Sequence, residues 1–136
     1  MNTHLNLTNL EFETQLENCT FKPELFSHEA HIRLAWIHVT KYGVEQASIN
    51  LCKQIKIFDI TFDDGTKYNK TITIACVKAV NHFVQKSKSV VFKDFILEFP
   101  RLITNFKELL NQHYSFDIYH SKLAKEEFLE PDLLPF

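Results

Sequence analysis

Two histidines three residues apart are the side chains in this sequence best suited to chemistry. His28 and His31 belong to the segment Phe26-Ser-His-Glu-Ala-His-Ile-Arg-Leu-Ala-Trp36. At 100° per residue, His28 falls at the centre of a helical stripe otherwise made of Ile, Ala, Val and Tyr, and His31 borders that stripe one turn later. An imidazole in such a place can act as a general base, orient a polar ligand or coordinate a metal.

Polar side chains also occupy the start of the fourth predicted helix. Asn69 and Thr73 lie four residues apart on the flank of its apolar side, and Tyr68 is beside them. If the second and fourth helices pack with these ends adjacent, the polar residues of both helices meet at one end of the bundle. We therefore predict a ligand-binding site made of His28, His31, Tyr68, Asn69 and Thr73.

Each of these residues also has a purely structural interpretation. Asn69 is a good helix-capping residue, since its side-chain oxygen can accept from a free backbone N–H. Thr73 can hydrogen-bond back to the carbonyl four residues earlier. Histidines in a first turn can be partly exposed, or paired within a core. The sequence therefore leaves open whether the cluster is a ligand site or a structural polar plug.

A metal centre at His28 and His31 is disfavoured, and no cofactor is identified. Catalytic zinc takes three protein ligands, and non-haem iron takes two histidines with a carboxylate. The segment His28-Glu-Ala-His31 does not match HExxH, and the sequence lacks GxSxG, GxGxxG and Walker-type glycine loops. Catalytic residues are therefore not assigned, and enzymatic activity stays an open alternative.

Residues that turn the chain sharply are scarce, and this scarcity predicts an all-α fold. Only Gly43 and Gly65 are present, whereas an all-β domain of 136 residues needs many tight turns. We predict one domain over residues 1–136, a compact bundle of five to seven helices with a proline-containing C-terminal strap, Glu130–Phe136. The main predicted helices cover residues 8–18, 27–42, 44–58, 68–85, 91–99 and 104–112.

The helical period also predicts which side chains form the core. Apolar residues recur every three or four positions in several of the predicted helices. We expect side chains of the first, second and fourth helices to point inward, together with Phe21, which follows the first helix. They are Leu10, Phe12, Leu16, Phe21, Ile32, Ala35, Val39, Ile72, Cys76, Ala79 and Phe83.

Charge and cysteine content limit the partners and the compartment. The formal net charge is −2, which is unfavourable for binding nucleic acid. No apolar run approaches the ~20 residues of a membrane span. Cys19, Cys52 and Cys76 form no CxxC pair, so we expect reduced thiols. The segment Met1–Leu7 lacks the features of a signal peptide. We therefore expect a cytoplasmic protein that binds neither nucleic acid nor membrane.

The same motifs resemble an uncharacterised family of small all-helical bacterial proteins. The resemblance covers residues 26–136, and besides the histidine segment it rests on Tyr68-Asn-Lys-Thr71-Ile-Thr73, His113-Tyr-Ser115 and Glu130-Pro-Asp-Leu-Leu-Pro135. It implies a helical fold and a polar site joining the second and fourth helices, without an activity. Family members usually carry Tyr-His-Glu-Thr at residues 68–71. Asn and Lys replace the His and Glu here, so the resemblance argues against metal ligation at those positions.

Two functions follow from these observations. In the first, a small polar ligand binds between the second and fourth helices of a binding protein or an enzyme, with a histidine as general base or donor. In the second, the cluster is structural, and the apolar tail or a phenylalanine-rich face meets a protein partner or a second copy in a homodimer. A concave pocket favours the first function, and a flat apolar patch favours the second.

Overall fold

A computed structural model describes residues Thr3 to Phe136 and confirms the all-α prediction. Over these residues the chain forms eight α-helices and two short 3-10 helices, with no β-strand. Five of the α-helices have seven or more residues. The α-helices are α1 (Asn9–Glu17), α2 (His28–Tyr42), α3 (Val44–Phe62), α4 (Lys70–Val84), α5 (Phe92–Glu98), α6 (Arg101–Thr104), α7 (Phe106–Asn111) and α8 (Lys122–Glu126).

Local signals in the sequence set the ends of the first two long helices. At the start of α1, Thr8 and Glu11 form a capping box, in which each side chain accepts from the other residue's backbone N–H. The Ser27 side chain accepts from the Ala30 N–H and begins α2. Gly43 ends α2 with a φ of 86°, a conformation that costs little only for glycine. The predicted bounds of α2 are therefore confirmed.

The second helix is the centre of the bundle. It packs against α1, α3, α4 and α6. Ile32, Leu34 and Ala35 are fully buried although they point in different directions around the helix. Because α2 is enclosed on most of its sides, the side chains from Ile32 to Val39 are all buried against neighbouring segments, whereas His28 at its start is exposed.

The predicted core is largely confirmed, with three exceptions. Leu10 is 66% exposed, because α1 turns only the side carrying Phe12 and Leu16 toward the core. Ile72 is half-buried and lies on the wall of a cavity. Phe83 is half-buried near the end of α4, where its ring meets that of Phe99 at 5.0 Å between centroids.

Two helix boundaries differ from the predicted ones for identifiable reasons. α3 continues past Phe58 to Phe62, because Asp59 is buried within it and accepts from the backbone N–H groups of Lys67 and Tyr68 at 2.8 and 2.7 Å. The helix predicted over 104–112 begins two residues later, as α7, and a short helix that was not predicted, α6, precedes it. The break is at Asn105, whose φ of −136° and ψ of 33° are not helical.

The C-terminal strap is confirmed and is held by main-chain and aromatic contacts. The Tyr114 hydroxyl donates to the Leu129 carbonyl at 2.7 Å, and the Leu133 N–H donates to the His113 carbonyl at 2.9 Å. The His113 ring stacks on Phe136 with 4.0 Å between ring centroids. These contacts fasten the strap, together with Leu129 just before it, to the segment that follows α7.

All three cysteines are free thiols in the structure. Cys76 is buried, whereas Cys19 and Cys52 are partly buried. Burial raises the pKa of Cys76 to about 12, so this thiol stays protonated and behaves as a core side chain. Within residues 3–136, none of the helices combines the length and the apolar character needed to cross a bilayer.

Candidate functional site

A partly open cavity of about 590 Å³ lies between the starts of α2 and α4 and the second half of α3. Its lining includes all five candidate residues, His28, His31, Tyr68, Asn69 and Thr73. The volume falls within the roughly 300–1,000 Å³ typical of small-molecule sites. The polar starts of α2 and α4 therefore face one common space.

His28 lies at the edge of this cavity, and its hydrogen bond defines which ring nitrogen carries the proton. The residue is exposed, and its Nε2 lies 2.9 Å from the Leu102 carbonyl oxygen. Its ring contacts Phe106 at 5.0 Å between centroids. Because a carbonyl can only accept, Nε2 donates, and Nδ1 of the neutral ring keeps the lone pair. His28 is thus held in one tautomer with a free basic nitrogen.

His31 lies deeper and is neutral at physiological pH. Its ring stacks on Phe26 with 4.1 Å between centroids and an interplanar angle of 20°. Burial lowers the pKa of His31 to about 4, and the nearby His28 contributes to the decrease. A neutral imidazole of such low basicity is a weak proton acceptor at pH 7 but still a good hydrogen-bonding group.

Asn69 and Thr73 have the structural roles that the sequence allowed, while also lining the cavity. The buried Asn69 caps α4 by accepting from the Ile72 N–H at 2.9 Å, and its amide donates to the Ile118 carbonyl at 2.8 Å. The Thr73 hydroxyl donates to the Asn69 carbonyl at 2.7 Å. Both residues therefore fix the wall of the cavity, and their polar groups already have protein partners.

Tyr68 contributes a half-buried phenol that stays protonated. Burial raises its pKa, and the neighbouring Cys52 thiol adds to the increase. The Tyr68 backbone N–H is held by the Asp59 carboxylate, so the turn between α3 and α4 is fixed at this point. The hydroxyl is consequently a neutral hydrogen-bonding group beside the cavity, not a nucleophile.

The rest of the wall is mainly apolar and aromatic, and the sequence did not assign these residues to the site. Phe26, Phe58 and Phe106 line the cavity together with Tyr119. The Tyr119 hydroxyl is buried and has no hydrogen-bond partner among the described residues. Phe26, Phe58 and Phe106 had a usable signal, since each lies in or beside a segment predicted to be helical. Tyr119 lies between α7 and α8, outside the helices, and carried none.

The structure does not contain the direct hydrogen bonds that a shared polar cluster would have. Over residues 3–136, no hydrogen bond joins His28 or His31 to Tyr68, Asn69 or Thr73. His28 is bonded to Leu102 and Asn69 to Ile118 instead. The five side chains therefore share a cavity rather than one hydrogen-bonded network.

Within residues 3–136, no third histidine, cysteine or carboxylate joins His28 and His31 in a compact group of ligand atoms. Among the described residues, the group of three acidic, histidine or cysteine side chains with ligand atoms within 4.8 Å of one another is Asp59, Asp63 and Asp64. Those carboxylates accept from backbone N–H groups or pair with Lys67. His28 and His31 therefore do not form a zinc or non-haem iron site of the usual composition.

We expect Asn69→Ala to lower the free energy of unfolding by about 2 kcal/mol. The loss combines a helix cap worth about 1 kcal/mol with a buried Ile118 carbonyl left unpaired, which costs about 1–3 kcal/mol. Urea denaturation followed by circular dichroism measures the change. Asn111→Ala is the matched control, because Asn111 is exposed. Equal stability of the two variants would contradict the anchoring role of Asn69.

Comparison with known protein families, with curated proteins and with solved structures finds no match to this chain.

Proposed function

We propose that the protein binds a small, largely apolar molecule with a few neutral polar groups in the cavity between α2, α3 and α4. The observation that carries this proposal is the cavity itself, whose wall joins aromatic side chains to His28, His31 and Tyr68. Concave apolar sites with a few converging polar groups are the usual form of small-molecule sites. The side chains that line this cavity fit that form better than they fit a flat interaction patch.

The protonation states of the wall favour an uncharged ligand. His31 is neutral because burial lowers its pKa to about 4, and burial also keeps the Tyr68 phenol protonated by raising its pKa. Tyr119 lines the same cavity, but its hydroxyl is buried away from the free space, so it adds no polar group for the ligand.

If the protein is an enzyme, His28 is the residue suited to move a proton. Its Nε2–H donates to Leu102, which leaves Nδ1 as the accepting nitrogen. His31 is poorly suited to that role, because burial lowers its pKa to about 4. His31 would therefore orient the ligand, and His28 would act as general base.

The cavity can be tested with the neutral fluorescent probe N-phenyl-1-naphthylamine. We expect saturable binding by the wild-type protein and binding at least about tenfold weaker in Ile72→Trp, since the larger side chain occupies the cavity. Fluorescence titration of the purified protein measures both. Ile74→Trp is the control, because Ile74 is also half-buried on α4 but does not line the cavity.

Equal binding by the wild-type protein and both variants would place the probe elsewhere and contradict the proposal. Absence of saturable binding, together with self-association in sedimentation velocity, would favour the interaction module and a homodimer.

We further propose a cytoplasmic location in a bacterial cell. The three free thiols support a reducing compartment, and the resemblance of the sequence motifs supports the bacterial source.

A further inference from the structure

A buried histidine fastens the N-terminal segment Thr3–Leu7 to the bundle. His4 is 2% exposed, although it belongs to a 3-10 helix of only three residues, His4–Asn6. Its ring packs against Phe12 of α1 and Phe92 of α5, with 5.8 and 6.2 Å between ring centroids. The segment is therefore held through a side chain that reaches into the core, and not by regular structure of its own.

Two contacts with α2 fix the position of the proton on the His4 ring. Nε2 lies 2.6 Å from a carboxylate oxygen of Glu29, and Nδ1 lies 3.3 Å from Nη1 of Arg33. Because a guanidinium nitrogen can only donate, Nδ1 accepts, and the proton of the neutral ring is on Nε2, which donates to Glu29. The same Nη1 also donates to the His4 carbonyl at 2.5 Å. The closed arrangement of the segment thus requires the neutral imidazole.

Protonation of His4 would place two donors and two positive charges against each other. In the imidazolium both ring nitrogens carry a hydrogen, so Nδ1–H would face the Arg33 guanidinium at the 3.3 Å separation of the two nitrogens. Burial lowers the pKa of His4, the hydrogen bond and the charge of Glu29 oppose the decrease, and the charge of Arg33 adds to it. These two are the charged side chains that act on the ring among the described residues, since α1 and α5 pack Phe12 and Phe92 against it.

We propose that Thr3–Leu7 is a latch that is released by acid. When His4 takes up a proton from solvent at Nδ1, Arg33 loses its acceptor on the ring, and the segment leaves α2. Release uncovers Phe12 and Phe92, which are 0% and 4% exposed in the closed form. The latch is separate from the ligand cavity, whose lining contains none of these residues.

The direction of the pH dependence follows from proton linkage. A histidine in a released segment is in water and titrates near pH 6.5, whereas the pKa of His4 in the closed latch is lower. Between these two values the released form binds a proton that the closed form does not. The ratio of released to closed protein therefore rises up to about tenfold for each unit that the pH falls. At higher pH neither form binds the proton, and the ratio is constant.

Limited proteolysis of the full-length protein measures the released fraction, because cleavage of a transiently opened segment follows its population. Proteinase K cleaves between about pH 7.5 and 4.5, and mass spectrometry selects the cuts before α1. His4→Gln is the matched control, since its carboxamide keeps a neutral donor and acceptor but does not take up a proton. The ratio of wild-type to His4→Gln cleavage rates cancels the pH dependence of the protease. We expect this ratio to rise up to about tenfold per pH unit below about pH 6.5.

Two further measurements keep the proposal open to refutation if His4→Gln does not close the latch. His4→Lys, which is charged over the whole range, should be cleaved before α1 faster than the wild-type protein at pH 7.5. In NMR titrations of the wild-type protein, the Arg33 Nε–H signal should move with the same midpoint as the His4 ring.

A cleavage ratio that stays constant with pH would overturn the proposal, because a group other than His4 would then control release. So would a His4→Lys protein as resistant as the wild type, or an Arg33 signal that does not follow the titration of His4.

Discussion

Replacing Arg33 by methionine is expected to lower the free energy of unfolding by about 3 kcal/mol. The substitution leaves two main-chain carbonyls without their donor, and each buried unpaired group costs about 1–3 kcal/mol. Arg33 is 5% exposed on α2. Its Nη1 donates to the His4 carbonyl at 2.5 Å, and its Nη2 donates to the Leu7 carbonyl at 2.8 Å. It also donates to the Asn9 side chain at 3.0 Å.

The guanidinium of Arg33 therefore fastens the N-terminal segment to the central helix. The segment is held a second time by His4, which is 2% exposed and lies 2.6 Å from a carboxylate oxygen of Glu29. Arg33→Lys should recover only part of the lost stability, since an ammonium group cannot reproduce the planar fork that reaches several oxygens.

Urea denaturation and limited proteolysis measure this effect. Arg101→Met is the matched control, because Arg101 is exposed and has no side-chain hydrogen bond or ion pair among those of residues 3–136. We expect Arg33→Met to expose the residues before α1 to cleavage and Arg101→Met to leave them protected. A loss below about 1 kcal/mol for Arg33→Met, without new cleavage, would contradict the anchoring role.

The position of Arg33 also illustrates what the sequence could not reveal. By helical period it belongs to the wet face of α2, together with Glu29 and Thr40, yet it is buried. The N-terminal segment covers it, and the hydrogen bonds involved join residues 24 to 29 positions apart. A local pattern gives the direction of a side chain relative to its own helix, but not which other segment covers it.

The candidate site shows the same contrast between local patterns, which the sequence reveals, and distant partners, which it does not. His28, His31, Asn69 and Thr73 could be selected because each breaks an apolar stripe with a local period, and Ser27 and Gly43 fixed the ends of α2. The partners of these residues could not be predicted. Leu102 and Ile118, whose carbonyls bond His28 and Asn69, lie 74 and 49 positions away in the C-terminal half of the chain.

His31→Phe is expected to reduce the dependence of stability on pH between about 7 and 4. Burial lowers the pKa of the native His31 to about 4, whereas an unfolded histidine titrates near 6.5. Between these values the unfolded chain binds the proton and the native protein does not. Stability therefore falls as pH drops through this window, and it rises again with pH. For a shift of this size the full loss is about 3 kcal/mol, since each pKa unit corresponds to about 1.4 kcal/mol.

Phenylalanine removes the titrating group while keeping a ring of similar shape against Phe26, with which His31 stacks. Within this window the difference in unfolding free energy between wild type and His31→Phe should change by up to about 1.4 kcal/mol per pH unit, the slope that corresponds to one proton per molecule. His4 and His38, whose pKa values burial also lowers, contribute in the same direction to both proteins and cancel in this difference.

Urea denaturation at a series of pH values gives the unfolding free energies, and NMR titration of the ring gives the native pKa of His31 directly. His120→Gln is the control. Because His120 is exposed, we expect this variant to keep most of the pH dependence of the wild-type protein. A native His31 that titrates near 6.5, or a His31→Phe protein with the wild-type pH dependence, would show that water hydrates the ring freely. The cavity would then be wetter than its apolar wall implies, and the preference for an uncharged ligand would lose its main physical support.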